Sequence, residues 1–143
     1  MPLYTLKAAA GAFGAGQHVE PDGWVAPRTG RQLSEGMFVA QVVGRSMEPR
    51  IPDGAWCLFR SPVTGSRQGR IVLFQHQSIE DPESGGSYTV KRYESEKEAD
   101  GRGDWTHKVI RLLPENPDFE PIVLTGIDEG EVSVIAELVD VLR

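Results

Sequence analysis

Apolar and polar positions along the chain fall into short runs separated by turn residues, and no run has the spacing of a long amphipathic helix. Met37, Phe38, Val39, Ala40, Gln41, Val42 and Val43 form one run rich in β-branched and aromatic side chains. Ala55, Trp56, Cys57, Leu58 and Phe59 form a second. Pro52, Asp53 and Gly54 lie between them and signal a tight turn. Residues 70–75 and 87–93 read as two more strands, bracketing a polar stretch with Asp81, Pro82, Gly85 and Gly86 that suits a hairpin loop. Further strands are expected over 105–113, 122–124 and 132–142, where Val132, Val134, Ala136 and Leu138 alternate with other side chains. The pattern predicts a mainly β, mostly antiparallel domain over residues 31–143.

Residues 1–30 have a different texture. Positions 8–16 are nearly all alanine or glycine, too apolar for a polar tail and too rich in glycine for a stable helix. A mobile N-terminal arm is expected there, with Phe13 as its one anchor. The glycines match neither G-x-G-x-x-G nor the P-loop pattern, so a short extended substrate is a better reading than a phosphate cradle.

Composition narrows the function classes. With 143 residues, 39% hydrophobic and 25% charged, the chain has enough for one core and hardly for two. No apolar run approaches the roughly 20 residues of a membrane helix, and the first 30 residues lack the pattern of a secretory signal. A soluble, cytoplasmic protein is expected. The lone Cys57 cannot form an internal disulfide and reads as a small buried thiol. A net charge of -6 argues against direct nucleic-acid binding. Glu94, Glu96, Glu98, Asp100 and Asp104 alternate with Lys97, Gly101, Arg102 and Gly103, which suits a solvated loop better than a metal site. His18, His76 and His107 lie far apart, so no metal and no cofactor is expected.

The chemistry concentrates between Gly44 and Gly54. Ser46 follows a strand and opens a stretch that Pro49 and Pro52 confine to one short helical turn. Unpaired N–H groups at such a start suit the negative oxygen of an acyl intermediate, and Gly44, Arg45 and Met47 flank the approach to it. A serine here is also an ordinary helix N-cap. Lys91 shares one strand face with Thr89 and Tyr93, where a half-apolar cleft would lower its affinity for a proton and fit it as the base a serine needs. The alternative is a solvent-facing lysine on an edge strand. Met47, Trp56 and Ile71 read as core residues.

Taken together, Gly44, Ser46, Met47, Glu48 and Pro49, then Ile51, Asp53 and Gly54, then Gly69, Ile71 and Val72, then Tyr88, Thr89, Val90, Lys91 and Arg92 resemble the peptidase domain of LexA repressors, UmuD proteins and related phage repressors. A more distant similarity is to bacterial signal peptidases. The resemblance implies a LexA C-terminal or UmuD-like β-domain without cofactor or metal, in which Ser46 is the nucleophile, Lys91 its base and the Ser46 N–H an oxyanion donor. It further implies self-cleavage at an Ala-Gly bond upstream, for which Ala10-Gly11 is the match and Ala12-Phe13 and Ala15-Gly16 are alternatives. Ser46 and Lys91 are further apart than the family pattern, and the excess fits an insertion at 77–86.

By the same resemblance a homodimer is expected, with a RecA filament or a DNA-processing protein as possible partner, in an SOS, DNA-damage or phage-type role. The ten residues ahead of Gly11 are too few for a helix-turn-helix domain. A UmuD-like protein, or a peptidase domain working beside a larger machine, is therefore expected. The competing class is a non-catalytic dimerisation or peptide-binding module of the same fold.

Overall fold

Strands β3 (Met37–Val42) and β4 (Ala55–Arg60) pair antiparallel, from Met37 opposite Arg60 to Val42 opposite Ala55, so the two strands read from the sequence flank an irregular connection over 43–54. The computed structural model describes residues 1–6, 9, 21, 23–26, 29, 33–76, 79, 88–99, 105–128 and 133–142. Within them lie also β1 (Pro2–Leu3), β2 (Gly23–Trp24), β5 (Ile71–Gln75), β6 (Tyr88–Ala99), β7 (Trp105–Leu113), β8 (Ile122–Asp128) and β9 (Ser133–Leu142). They make one sheet in the order β2-β1-β3-β4-β9-β5-β6-β7-β8, antiparallel throughout except where β1 meets β3. The fold is thus mainly β and mostly antiparallel, as the pattern predicts.

Both faces of the sheet are buried, which explains runs that read as continuously apolar. On one face Phe38, Ala40 and Val42 of β3 meet Cys57 and Phe59 of β4, Ile71 and Leu73 of β5 and Val90 of β6. Phe38 stacks on Phe59 with ring centroids 5.6 Å apart. The alternate side chains go elsewhere: Met37, Val39 and Leu58 join Leu3 and Val25, while Val72, Phe74 and Tyr93 join Ile110, Leu112 and Leu124. A one-residue slip in β5 or β6 would exchange two cores, so register is strongly specified. Cys57 is fully buried, as expected, and its thiol is pushed up to about 12 by burial and, secondarily, by the charge of Asp140.

Four expectations change. The acidic residues Glu94 and Glu96 lie in strand rather than loop, because β6 continues to Ala99 and pairs with β7; their exposed carboxylates flank Arg111 at 3.5 and 3.7 Å. In β9 the expected strict alternation is broken. Leu73 pairs with Ala136 and Phe74 with Val134, so Ile135 is an extra residue, and this bulge sends Val134 and Ala136 to different cores. Trp56 is 43% exposed, whereas Met47 and Ile71 are core residues as read. At the N-terminus, Ala9, within the expected mobile arm, is fully buried in one cluster with Phe38, Met47 and Ile51, and its N–H donates to the Thr5 carbonyl at 3.0 Å. Phe13 lies outside the described residues, as does most of the 77–86 loop; β1 and β2 come from within the expected arm.

One buried carboxylate ties the middle of the sheet. Glu137 of β9, 8% exposed, receives Arg60 Nη2 at 2.8 Å and Arg70 Nη1 at 2.9 Å, so charges from three segments meet at one side chain. Removing the carboxylate leaves both guanidinium groups without it next to the core. Glu137→Ala should therefore lower unfolding stability by roughly 2 kcal/mol, less than a fully buried pair would because both arginines reach water. Urea unfolding checks this; a loss under about 0.5 kcal/mol would mean solvent replaces the pair.

Candidate functional site

The loop between β3 and β4 is closed by its own polar groups. Gly54 N–H donates to the Val42 carbonyl at 2.8 Å, Gln41 Nε2 to the Gly54 carbonyl at 2.9 Å, and Gly44 N–H to Asp53 Oδ1 at 2.8 Å. Gly44 has φ +116°, a conformation that a side chain strongly disfavours, so a backbone reversal is enough to require glycine there. Inside the loop Glu48 N–H donates to the Arg45 carbonyl at 3.1 Å and Ile51 N–H to the Met47 carbonyl at 2.9 Å. This is the short helical turn that the sequence predicts. Met47 and Ile51, 2% and 0% exposed, anchor it in the central core.

Ser46 stands at the head of that turn, 6% exposed. Among the described residues its hydroxyl and N–H make no hydrogen bond, and its carbonyl accepts from Asn116 N–H at 3.0 Å. It is therefore not acting as an N-cap. Arg45 carries its side chain outward, where Nε donates to Glu48 Oε1 at 2.8 Å, and this carboxylate holds the guanidinium pKa above its ordinary value. Met47 contributes a core side chain, leaving only its backbone near the surface of the turn.

Lys91 is the fourth residue of β6, opposite Val72 of β5, and is 5% exposed. It is not a solvent-facing edge lysine. Its Nζ donates to Thr89 Oγ1 at 2.7 Å and to the Val90 carbonyl at 3.2 Å, so the amine curls back over its own strand beside a hydroxyl that is itself buried. Among the described residues no hydrogen bond joins Lys91 to Ser46. What brings their segments together is packing: Met47, next to Ser46, and Val90, next to Lys91, belong to one core cluster.

A third segment, missed by the sequence reading, spans the two. In the loop from β7 to β8, Asn116 donates through N–H to the Ser46 carbonyl and through Nδ2 to the Arg45 carbonyl, both at 3.0 Å. Its neighbour Glu115 pairs with Arg92, the residue after Lys91. The only sequence signal was a polar, proline-flanked loop at 114–121, which resembles any other connection. Ala10 and Gly11 lie outside the described residues. Of the expected site residues, then, Ser46, Gly44, Arg45 and Met47 share one loop, and Lys91 lies on a strand whose core neighbour packs with that loop. Among the described residues no cluster of His, Cys, Asp or Glu could hold a metal ion, and no helix is long and apolar enough to cross a membrane.

Comparison with known proteins agrees with this architecture. A family model described as Peptidase S24-like matches residues 2–139. The LexA repressor of Bordetella pertussis is 32% identical over 137 residues, which are 95% of this chain and 54% of that protein. The LexA repressor of Geobacter metallireducens is 32% identical over 113 residues, 78% of this chain and 46% of that protein. The chain thus spans about half the length of the curated relatives it matches. Because the match runs across the Ser46 loop, the Lys91 strand and almost all of the sheet between and beyond them, the chain belongs to the Peptidase S24-like family and is a domain of the LexA/UmuD type.

Proposed function

We propose that the chain is a serine endopeptidase in which Ser46 is the nucleophile and Lys91 its general base, cutting itself or a partner in a LexA- or UmuD-like regulatory role. The observation that carries this reading is the pairing of a nearly buried serine, whose hydroxyl makes no hydrogen bond among the described residues, at the head of a helical turn with a buried lysine on a strand packed beside that turn. Burial works against the charged ammonium, which is the direction a lysine base needs if it is to take the Ser46 proton. Thr89 Oγ1 orients the amine. The serine oxygen then attacks the carbonyl carbon of Ala10, and the N–H of Ser46 meets the oxygen that becomes negative. Collapse breaks the Ala10-Gly11 bond with the lysine proton going to the Gly11 amine, and water hydrolyses the acyl-serine.

The position of Ala9 favours this bond over Ala12-Phe13 and Ala15-Gly16. Ala9 packs in the same cluster as Met47, which leads the chain to the candidate bond directly from the core that holds the Ser46 turn. Small residues there let an extended backbone approach a serine closely. The distance still to be closed between Lys91 and Ser46 is compatible with a resting site, since catalytic hydrogen bonds often tighten only around the substrate. The second reading is a non-catalytic binding or dimerisation module, in which the bonds of Lys91 Nζ to Thr89 and Val90 are structural.

Incubating the pure chain and following its mass separates the two. The large product should begin at Gly11, Ser46→Ala should produce none, and Lys91→Arg should fail as well because a guanidinium does not release its proton near neutral pH. Cleavage by Ser46→Ala, or retained activity in Lys91→Arg, would exclude the dyad. The first-order rate of the wild type should rise between about pH 7 and about pH 10 and then level off, since only the neutral amine acts as base. A flat profile with the fold intact would exclude a lysine base.

A further inference from the structure

We infer that Asn116 is a positioning residue for the reaction at Ser46, an inference that rests on the dyad reading and extends it to the β7–β8 loop. The side chain touches neither the hydroxyl of Ser46 nor the amine of Lys91 among the described hydrogen bonds. It holds the backbone instead. Asn116 Nδ2 donates to the Arg45 carbonyl and Asn116 N–H to the Ser46 carbonyl, both at 3.0 Å. The peptide bonds after Arg45 and Ser46 are trans, so each carbonyl points opposite the N–H in its own plane. Drawing the Arg45 carbonyl toward Asn116 therefore aims the Ser46 N–H the other way, and drawing the Ser46 carbonyl there aims the Met47 N–H likewise. Neither N–H donates to another group among the described residues. Two adjacent donors are thus set toward one side of the turn by a clamp on the other.

The clamp is itself held. Asn116 Oδ1 accepts from Asp118 N–H at 2.9 Å, which fixes the amide so that Nδ2 faces Arg45. Phe119 N–H donates to the Asn116 carbonyl at 3.1 Å, and Glu115 pairs with Arg92 on β6. The loop is therefore a strap from the strand that carries Lys91 to the turn that carries Ser46. Its effect would fall on the acyl-forming step, where donors must already point at the developing negative oxygen, and not on the proton affinity of the lysine.

The test measures self-cleavage by the full chain across pH, together with its melting temperature, for wild type, Ser46→Ala, Asn116→Ala and Asn116→Ser. The serine variant keeps an acceptor for Asp118 N–H but is too short to reach the Arg45 carbonyl, so it isolates the clamp from the turn. Both Asn116 variants should lower the plateau rate per folded molecule by about 10- to 100-fold, the scale of a small misplacement of reacting groups, with the pH midpoint unmoved. A wild-type plateau in either variant would overturn the inference. So would a slowing that follows the folded fraction and disappears on cooling, which is what a merely structural residue would give. Inert wild-type protein would instead overturn the dyad reading, and the positioning role with it, whereas active wild type beside unaffected Asn116 variants would sink the positioning role alone.

Discussion

The burial of Met47 and Ile51 in the central core is the constraint on which the geometry around Ser46 depends. A turn of five residues has almost no helical stability of its own, because nucleation orders several residues for one or two hydrogen bonds. Fully burying two such side chains contributes on the order of 1.5–3 kcal/mol each, more than the roughly 1 kcal/mol expected of a single backbone bond such as that from Ile51 to Met47. Packing therefore decides where the turn sits, and the hydrogen bonds at Gly44, Gly54 and Asn116 decide how it is oriented. Ser46 is held nearly buried because its neighbour is an anchor.

The two buried charged residues, Lys91 of β6 and Glu137 of β9, both lie opposite Val72 of β5 and are held differently. Glu137 receives the guanidinium groups of Arg60 and Arg70 at the join of β4, β9 and β5. Lys91 Nζ donates to the Thr89 hydroxyl and to the Val90 carbonyl, groups that can accept from an amine in either protonation state.

Much of the sheet was legible because its strands alternate between two cores and their edges coincide with Pro, Gly and Asp. The Ser46 turn was legible for the same reason, since Pro49, Pro52 and Gly54 bound it. Three features were not. The extension of β6 through Glu94 and Glu96 depends on pairing with β7, and charged residues on an exposed strand face read locally like a loop. The bulge at Ile135 reflects competition between two neighbouring strands for one register, which no single run reveals. Ala9 looked like part of a glycine-rich arm because its burial arises from residues far along the chain, Phe38, Met47 and Ile51. The role of Asn116 had the same origin: a loop residue is recognised only once the carbonyls it holds are in view.

The central claim is that Ser46 is activated by Lys91, and it is tested most directly by covalent labelling. The folded chain would be treated at mildly alkaline pH with a fluorophosphonate that phosphonylates nucleophilic serines, and the adduct located by peptide mass mapping. The account predicts a single adduct on Ser46 in the wild type and its loss in a folded Lys91→Ala variant. Equal labelling of Ser46 in the two proteins, or none in the wild type, would contradict it.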